Sequence, residues 1–319
     1  MTDRGGRTAS GQVTVVVNAP PTVAIGSPLD EATFLPGEAV LLEATAMDAE
    51  DGDLAPAIQW VSSLDGPLGG GMLSVDGLRS GTHLITARVT DGGGKQAEAA
   101  VTIVVNAAPR VAIVAPSAGS MPSPRDAVTL VAAASDTEDG DLGSAVAWTS
   151  SLDGPLGSGA TLTGVTLRSG IHTITASVRD RGGRSATDAI TLVVNAAPTV
   201  AIDGPAGGSI FAPGDAIVLS AAAMDLEDGD LGNGISWTSN LDGPLGEGAM
   251  LAVALRSGTL TITATATDSG GKTAEATIAL VVNAAPTAMI VAPADGSVFE
   301  PGVEVTLAGT AADAEDGDL

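Results

Sequence analysis

The chain has 319 residues, with 38 Asp and Glu against 13 Lys and Arg, a formal charge of −25 and no Cys. This balance excludes disulfides, thiolate metal sites and Cys nucleophiles, and it argues against nucleic acid or an anionic membrane surface as a partner. Aromatic residues make up 2% of a chain that is 44% hydrophobic, so its cores are built from Ala, Val, Ile and Leu and its domains are thin. Pro, Asn, Gly or charge interrupts every apolar run before about 18 residues, so no membrane-inserted helix is expected. Residues 1–4 open without a basic stretch leading into an apolar one, so no signal peptide is visible.

One unit recurs along the chain. Val-Val-Asn-Ala places Asn18, Asn106, Asn195 and Asn283 at spacings of 88, 89 and 88 residues. Asp-x-Glu-Asp-Gly-Asp-Leu begins at Asp48, Asp136, Asp225 and Asp313, and Trp60, Trp148 and Trp237 are the only tryptophans. Such periodicity marks a repeat array. Three full copies span 18–105, 106–194 and 195–282. Residues 1–17 match only the last strand of a copy, and 283–319 match its first two strands and acidic loop. The reading is part of a longer array, so the missing signal peptide carries no information.

Within copy one the apolar period is two, which is a strand signature. Strands are expected at 22–25, 39–47, 57–63, 72–77, 82–90 and 96–105, with a further short one near Phe34. Val40, Leu42, Ala44 and Ala46 form one inward set, and His83, Ile85, Ala87 and Val89 form another. Trp60 follows Ile58 by two residues and shares its inward face, as Trp148 follows Val146 and Trp237 follows Ile235. The Leu-Asp-Gly-Pro-Leu-Gly segments read as turns. Their Asp65, Asp153 and Asp242 are expected beside Arg79, Arg168 and Arg256. About seven strands with a Trp on the third main one, in about 88 residues, predict an all-β fold: a tandem array of immunoglobulin-like Greek-key β-sandwiches.

Each copy resembles the immunoglobulin-like and polycystic-kidney-disease-type repeats of bacterial secreted and cell-surface proteins. The residues that carry the resemblance are Asn18-Ala19-Pro20-Pro21, Asp48 to Leu54, Trp60 with Ser62-Ser63-Leu64-Asp65-Gly66, and Gly81-Thr82-His83 through Val89-Thr90-Asp91. It implies an extracellular or cell-surface location and, as in calcium-stiffened surface repeats such as cadherins, a cation at the domain joints. In immunoglobulin domains a corner Tyr sits two residues before the second core Cys. His83 and Ile85 take those two places, as do His172 and Ile174, whereas copy three has Leu260 and Ile262.

The acidic loop is the candidate site. Asp48, Glu50, Asp51 and Asp53 supply four carboxylates in six residues, a hard-oxygen set that suits Ca²⁺. In a Greek-key sandwich the loop before the last strand lies at the same end, which brings in Asp91 and the linker residue Asn18. The equivalent sets are Asp136, Glu138, Asp139, Asp141 with Asp180, and Asp225, Glu227, Asp228, Asp230 with Asp268. The competing reading is a solvated acidic turn that keeps the array soluble. Copies one, two and three carry 12, 8 and 10 acids against 3, 6 and 2 bases. Acidity elsewhere therefore drifts while the loop carboxylates stay fixed, which favours a positional role.

Catalysis has little support: His83 and His172 give way to Leu260 in copy three, and no Ser/His/Asp set is expected from the loops of one copy. The expected function is an extracellular spacer or stalk, stiffened by calcium at interdomain acidic loops. The alternatives are an adhesin-type module that binds a cell-surface glycan or protein, or the accessory region of a secreted enzyme. An adhesin needs a surface unique to one copy, and copy two diverges at Ser117–Arg125, copy three near Asp203–Ser209.

Overall fold

The computed structural model describes residues 1–313 and 317–318. Copy one contains β1 (Thr22–Ser27), β2 (Ala32–Phe34), β3 (Val40–Asp48), β4 (Gly52–Asp53), β5 (Gln59–Ser62), β6 (Gly66–Gly70), β7 (Leu73–Val75), β8 (Gly81–Thr90) and β9 (Gln96–Val105). One sheet joins β1, β3 and β7, with the short β4 closing on the end of β3. The other runs β2-β9-β8-β5-β6, with β2 parallel to β9. The two sheets face each other across a core of Val40, Leu42, Ile58, Trp60, Ile85 and Ile103, all at most 1% exposed. This is an immunoglobulin-like sandwich, as the alternation foretells, and it recurs around Trp148 and Trp237.

The period-two pattern also explains where the site's carboxylates sit. In β3 the inward positions Val40, Leu42, Ala44 and Ala46 lead to Asp48 at the strand's end. In β8 the inward series Gly81, His83, Ile85, Ala87 and Val89 leads to Asp91, one residue past its end. Both aspartates are therefore carried inward by strand parity, on facing sheets, and both are 6% exposed. A buried carboxylate must be hydrogen-bonded, and this requirement organises the whole loop end.

The segment after Asp65 is more than a turn. Gly66–Gly70 forms an edge strand that pairs with β5 across a bulge at Trp60/Val61. Pro67 is tolerated there because an edge strand leaves one row of its backbone groups unpaired. The Trp60 indole donates to the Gly71 carbonyl at 2.7 Å, so the bulged edge also holds the core tryptophan. Residues 9–20 contain no strand. Asp3 nonetheless repeats the turn made by Asp91: its N–H reaches the Arg7 carbonyl at 2.8 Å, as the Asp91 N–H reaches Lys95 at 2.9 Å. At the other end Thr287–Ala292 pairs with Ala308–Asp313. Residues 314–316 of the fourth acidic loop, Glu315 and Asp316 among them, lie outside the described residues. Among those described, no helix is long and apolar enough to cross a membrane.

Candidate site at the repeat joints

All five predicted carboxylates of each copy converge at one end of its sandwich, and each has a definite partner. Asp48 Oδ1 accepts the N–H groups of Glu50 and Asp51 at 2.9 and 2.8 Å. Asp136 does the same for Glu138 and Asp139, and Asp225 for Glu227 and Asp228. Asp53, Asp141 and Asp230 accept the N–H two residues on and start a short 3₁₀ turn. Asp51, Asp139 and Asp228 reach across the sheets to the N–H groups of Gly92, Arg181 and Ser269, each at 2.7 Å. Glu50, Glu138 and Glu227 accept the linker N–H groups of Ala19, Ala107 and Ala196 at 3.0–3.1 Å.

Asp91, Asp180 and Asp268 tie the linker down from the other sheet. One oxygen accepts the N–H of Lys95, Arg184 or Lys272, and the other accepts the side-chain amide of Asn18, Asn106 or Asn195. The basic side chain then turns back and donates to the carbonyl of that same Asn. The approach is close enough to require Gly. A Cβ on Gly93, Gly182 or Gly270 would collide with the Asn amide. The role of these bases was not foreseen. The signal was present, since each copy carries a base four residues after this Asp.

The Asn joins two repeats. The backbone N–H of Asn106 donates to Phe34 in copy one at 2.9 Å, while its side chain is held by Asp180 in copy two. Asn195 bridges Pro122 and Asp268 in the same way. A cleft of about 330 Å³ lies at the first joint, with Thr33, Thr82 and Val104 on one side and Glu138 and Asp139 on the other.

After these bonds are made, some oxygens remain. Asp136 Oδ2 and Glu138 Oε1 are buried with no partner, as are Asp225 Oδ2 and Glu227 Oε1, and Asn195 Oδ1 joins the second set. In copy one only Asp48 Oδ2 is left over, because Glu50 is exposed. The difference is the preceding repeat: the half-buried Glu138 and Glu227 each follow a folded sandwich, and Glu50 does not.

The electrostatics follow from this burial. Desolvation, helped by the adjacent Asp136 carboxylate, pushes Glu138 above the ordinary Glu range. Glu227 is raised likewise, by burial and then by the charge of Asp225. For Asp136, burial alone would raise the carboxyl, but the N–H groups of Asp139 and Glu138 outweigh it and hold it low. Asp91 is held low against burial by Lys95 and Asn18, and Asp228 by the Ser269 N–H and hydroxyl. The Asp136 and Glu138 carboxylates are close enough for the charge of the first to disfavour ionisation of the second. Two carboxylates facing each other need either a shared proton or a cation.

The donors suit a hard cation in kind, since every leftover atom is an oxygen. In number they are few. Among the described residues, no group of three or more Asp, Glu or His side chains is placed to hold a metal ion.

The opposite end of each sandwich handles charge differently. Asp65 pairs with Arg79 at 2.6 Å, Asp153 with Arg168 at 2.9 Å and Asp242 with Arg256 at 2.8 Å, as the spacing implies. A Ser/His/Asp cluster does assemble in one copy, but from Ser62 and His83 on strands with Asp65 in the turn and not from loop residues. Ser62 Oγ lies 2.7 Å from His83 Nδ1, and Asp65 lies 3.6 Å from the same nitrogen. This cluster is a corner brace. His83 Nε2 donates to the Arg79 carbonyl four residues back at 2.7 Å, as a corner Tyr would. Ser62 also accepts two turn N–H groups, His83 is fully buried, and both the Ser and the Asp face one ring nitrogen. Both ring nitrogens are thereby engaged within the corner. In copy three Leu260 removes the imidazole, and the Ser239 hydroxyl turns to Asp242 at 3.3 Å.

No family model matches the chain, and no curated protein matches it. Among solved structures it is similar to the fibronectin(III)-like modules of Clostridium thermocellum CbhA, with 20% identity, 54% of this chain and 94% of that one covered, and a TM-score of 0.27. It is similar to protocadherin gammaB7 EC3-6, with 20% identity, coverage of 94% and 85%, and a TM-score of 0.36. It is also similar to the Dpr2 Ig1-Ig2 complex with DIP-Theta Ig1-Ig3, with 12% identity, coverage of 82% and 99%, and a TM-score of 0.43. At this level of similarity the strand pairing, not the likeness, carries the fold assignment.

Proposed function

We propose that this chain is a stretch of an extracellular or cell-surface stalk, whose sandwiches act as spacers and whose joints are stiffened by Ca²⁺. The observation that supports this most is the buried, unpartnered oxygen pair at each joint between full copies: Asp136 with Glu138, and Asp225 with Glu227. Those four side chains would hold the ion, with Asn195 Oδ1 a further donor at the second joint and waters completing each shell. Asp48 and Glu50 are the equivalent pair of copy one. Asp51, Asp53 and Asp91, with Asp139, Asp141, Asp180, Asp228, Asp230 and Asp268, fix the loop around the pair. Bound there, calcium would supply the counter-charge that no Lys or Arg brings to that oxygen pair.

Stiffening follows from what Glu138 already holds. Its other oxygen accepts the Ala107 N–H of the linker, so fixing the carboxylate fixes the linker. With about four residues between the last strand of one copy and the first of the next, little slack remains. Three copies laid end to end would span on the order of 100–120 Å at about 3.3 Å per strand residue.

The test is calorimetric titration of Ca²⁺ into the chelator-treated chain, with thermal melts and small-angle scattering. Two saturable sites, a raised melting temperature and a stiffer scattering profile are expected, since a ligand bound only to the folded state stabilises it. Absence of heat at millimolar Ca²⁺ with unchanged melting would overturn the calcium reading and leave an acidic spacer.

A further inference from the structure

The two joints between full copies share their carboxylates but not their cations. Arg110, Arg179, Arg181 and Arg184 of copy two stand where copy three has Thr199, Thr267, Ser269 and Lys272. Arg184 and Lys272 play the same part, each donating to the carbonyl of its linker Asn. The other three positions carry a guanidinium at the first joint and a neutral hydroxyl at the second.

Strand pairing and turn geometry bring these three arginines to the acidic loop. Arg110 opens its strand opposite Ser135, the residue before Asp136, and lines a small cleft with Asp136 and Thr137. The Arg181 N–H donates to Asp139 at 2.7 Å, and its guanidinium comes within 3.8 Å of the same carboxylate. Arg181 also lines the cleft that holds Glu138. Arg179 folds over the same turn, its Nε donating to the Gly183 carbonyl at 3.1 Å. At the second joint Asp228 instead takes the N–H and hydroxyl of Ser269, at 2.7 and 2.8 Å. A hydroxyl satisfies an oxygen without bringing charge to it. A second difference points the same way. Asn195 is 2% exposed and its Oδ1 has no partner, a condition that no other linker Asn shares among the described residues. It directly precedes Ala196, whose N–H is held by Glu227.

We infer that the two joints take up Ca²⁺ with unequal strength, the second filling at lower concentration than the first, so that the array stiffens in two stages. The inference rests on the calcium reading above and names the residues that grade it. At the first joint Arg110, Arg179 and Arg181 already offset part of the loop's negative charge and repel an arriving cation. Fixed charges closer than a Debye length, about 8 Å at physiological salt, act on one another with incomplete screening. At the second joint Thr199, Thr267 and Ser269 exert no such repulsion, and Asn195 Oδ1 adds a neutral oxygen of the kind Ca²⁺ accepts.

The test is titration of Ca²⁺ into the chelator-treated full chain, followed by the amide signals of Ala107 and Ala196. These linker N–H groups are bonded to Glu138 and Glu227, so each reports one joint. Half-saturation at Ala196 is expected at a concentration at least fivefold below that at Ala107, with the gap narrowing in high salt. Arg110→Thr with Arg181→Ser gives the first joint the residues of the second at two exposed positions. That pair should tighten the Ala107 response severalfold and leave Ala196 unchanged. The reverse exchange, Thr199→Arg with Ser269→Arg, should weaken the Ala196 response by a similar factor. Equal half-saturation at the two amides, a first joint that fills first, or an Ala107 response unmoved by the arginine exchange would overturn this inference and leave the calcium reading standing. Silence of both amides at millimolar Ca²⁺ would remove both.

Discussion

The two ends of one sandwich solve the same problem with different chemistry. At the corner end Asp65 meets the guanidinium of Arg79, which lies 67% exposed. Charge is cancelled by charge, in water, and nothing is left over. At the joint end five carboxylates are met mainly by backbone N–H groups and one amide, with the Ser269 hydroxyl on Asp228 and Arg181 3.8 Å from Asp139 in addition, and a buried oxygen pair stays unpartnered between full copies. N–H dipoles stabilise a carboxylate but carry no net charge. The oxygens left without a partner lie only at the second end among the described residues. The joint is also the end whose burial depends on a neighbour, so its chemistry belongs to the array and not to the single fold.

The largest expected effect is at the joint. Asp180→Ala removes the acceptor of the Arg184 N–H and of the Asn106 amide. It should lower the stability of copy two by about 3 kcal/mol, at the upper end for stranded buried donors. Urea titration followed by Trp fluorescence measures this, and a loss below about 1 kcal/mol would mean water replaces the carboxylate freely. Gly182→Ala should mimic it more mildly by expelling the Asn106 side chain.

Next in size is the pH behaviour of the paired carboxyls. Because Glu138 is raised from its ordinary value of 4.5, its contribution is fully present below that value and is lost as pH rises through the raised one. Asp136, lowered from 3.8, contributes above that value and loses its contribution as pH falls through the lowered one. Glu138→Gln acts as a permanently protonated Glu. Without calcium it should stabilise the chain at pH 7 and have no effect at pH 4. It should also abolish the calcium response at that joint. Thermal melts at the two pH values, with and without Ca²⁺, decide both points.

Smaller effects are expected at the corner end. Arg168→Ala breaks an exposed ion pair and should cost less than about 1 kcal/mol, shrinking further in high salt. His172→Leu copies what copy three already contains. Ser150 should then turn to Asp153 as Ser239 turns to Asp242, with a loss of about 1 kcal/mol for the hydrogen bonds given up. A large loss in either variant would erase the contrast between the ends.

Much of this was legible in the residues. Strict alternation in 40–48 and 81–90 fixes both strands and their inward faces, and parity alone carries Asp48 and Asp91 inside. The Greek-key argument correctly brings Asp91 and Asn18 to the acidic loop. The edge strand Gly66–Gly70 was hidden because Pro67 and its glycines read as a turn, and only the β5 ladder makes them a strand. The burial of Glu138 and Glu227 could not be read within one copy, because the preceding repeat creates it. Comparison of the copies marks 117–125 as divergent. That this divergence leaves copy two with a four-stranded sheet where its sisters have five strands shows only in the ladder.

The linker Asn has a consequence for how such a chain can vary in length. Its backbone is bonded to the copy that ends and its side chain to the copy that begins, and the partners on the second side are Asp and Lys or Arg at every joint described. The coupling is therefore standardised, so that any copy can follow any other without a matched surface. Whole units of 88 or 89 residues could be gained or lost while every remaining connection stays intact. A unit that diverges, as copy two does at 117–125, could then sit at any position along the array.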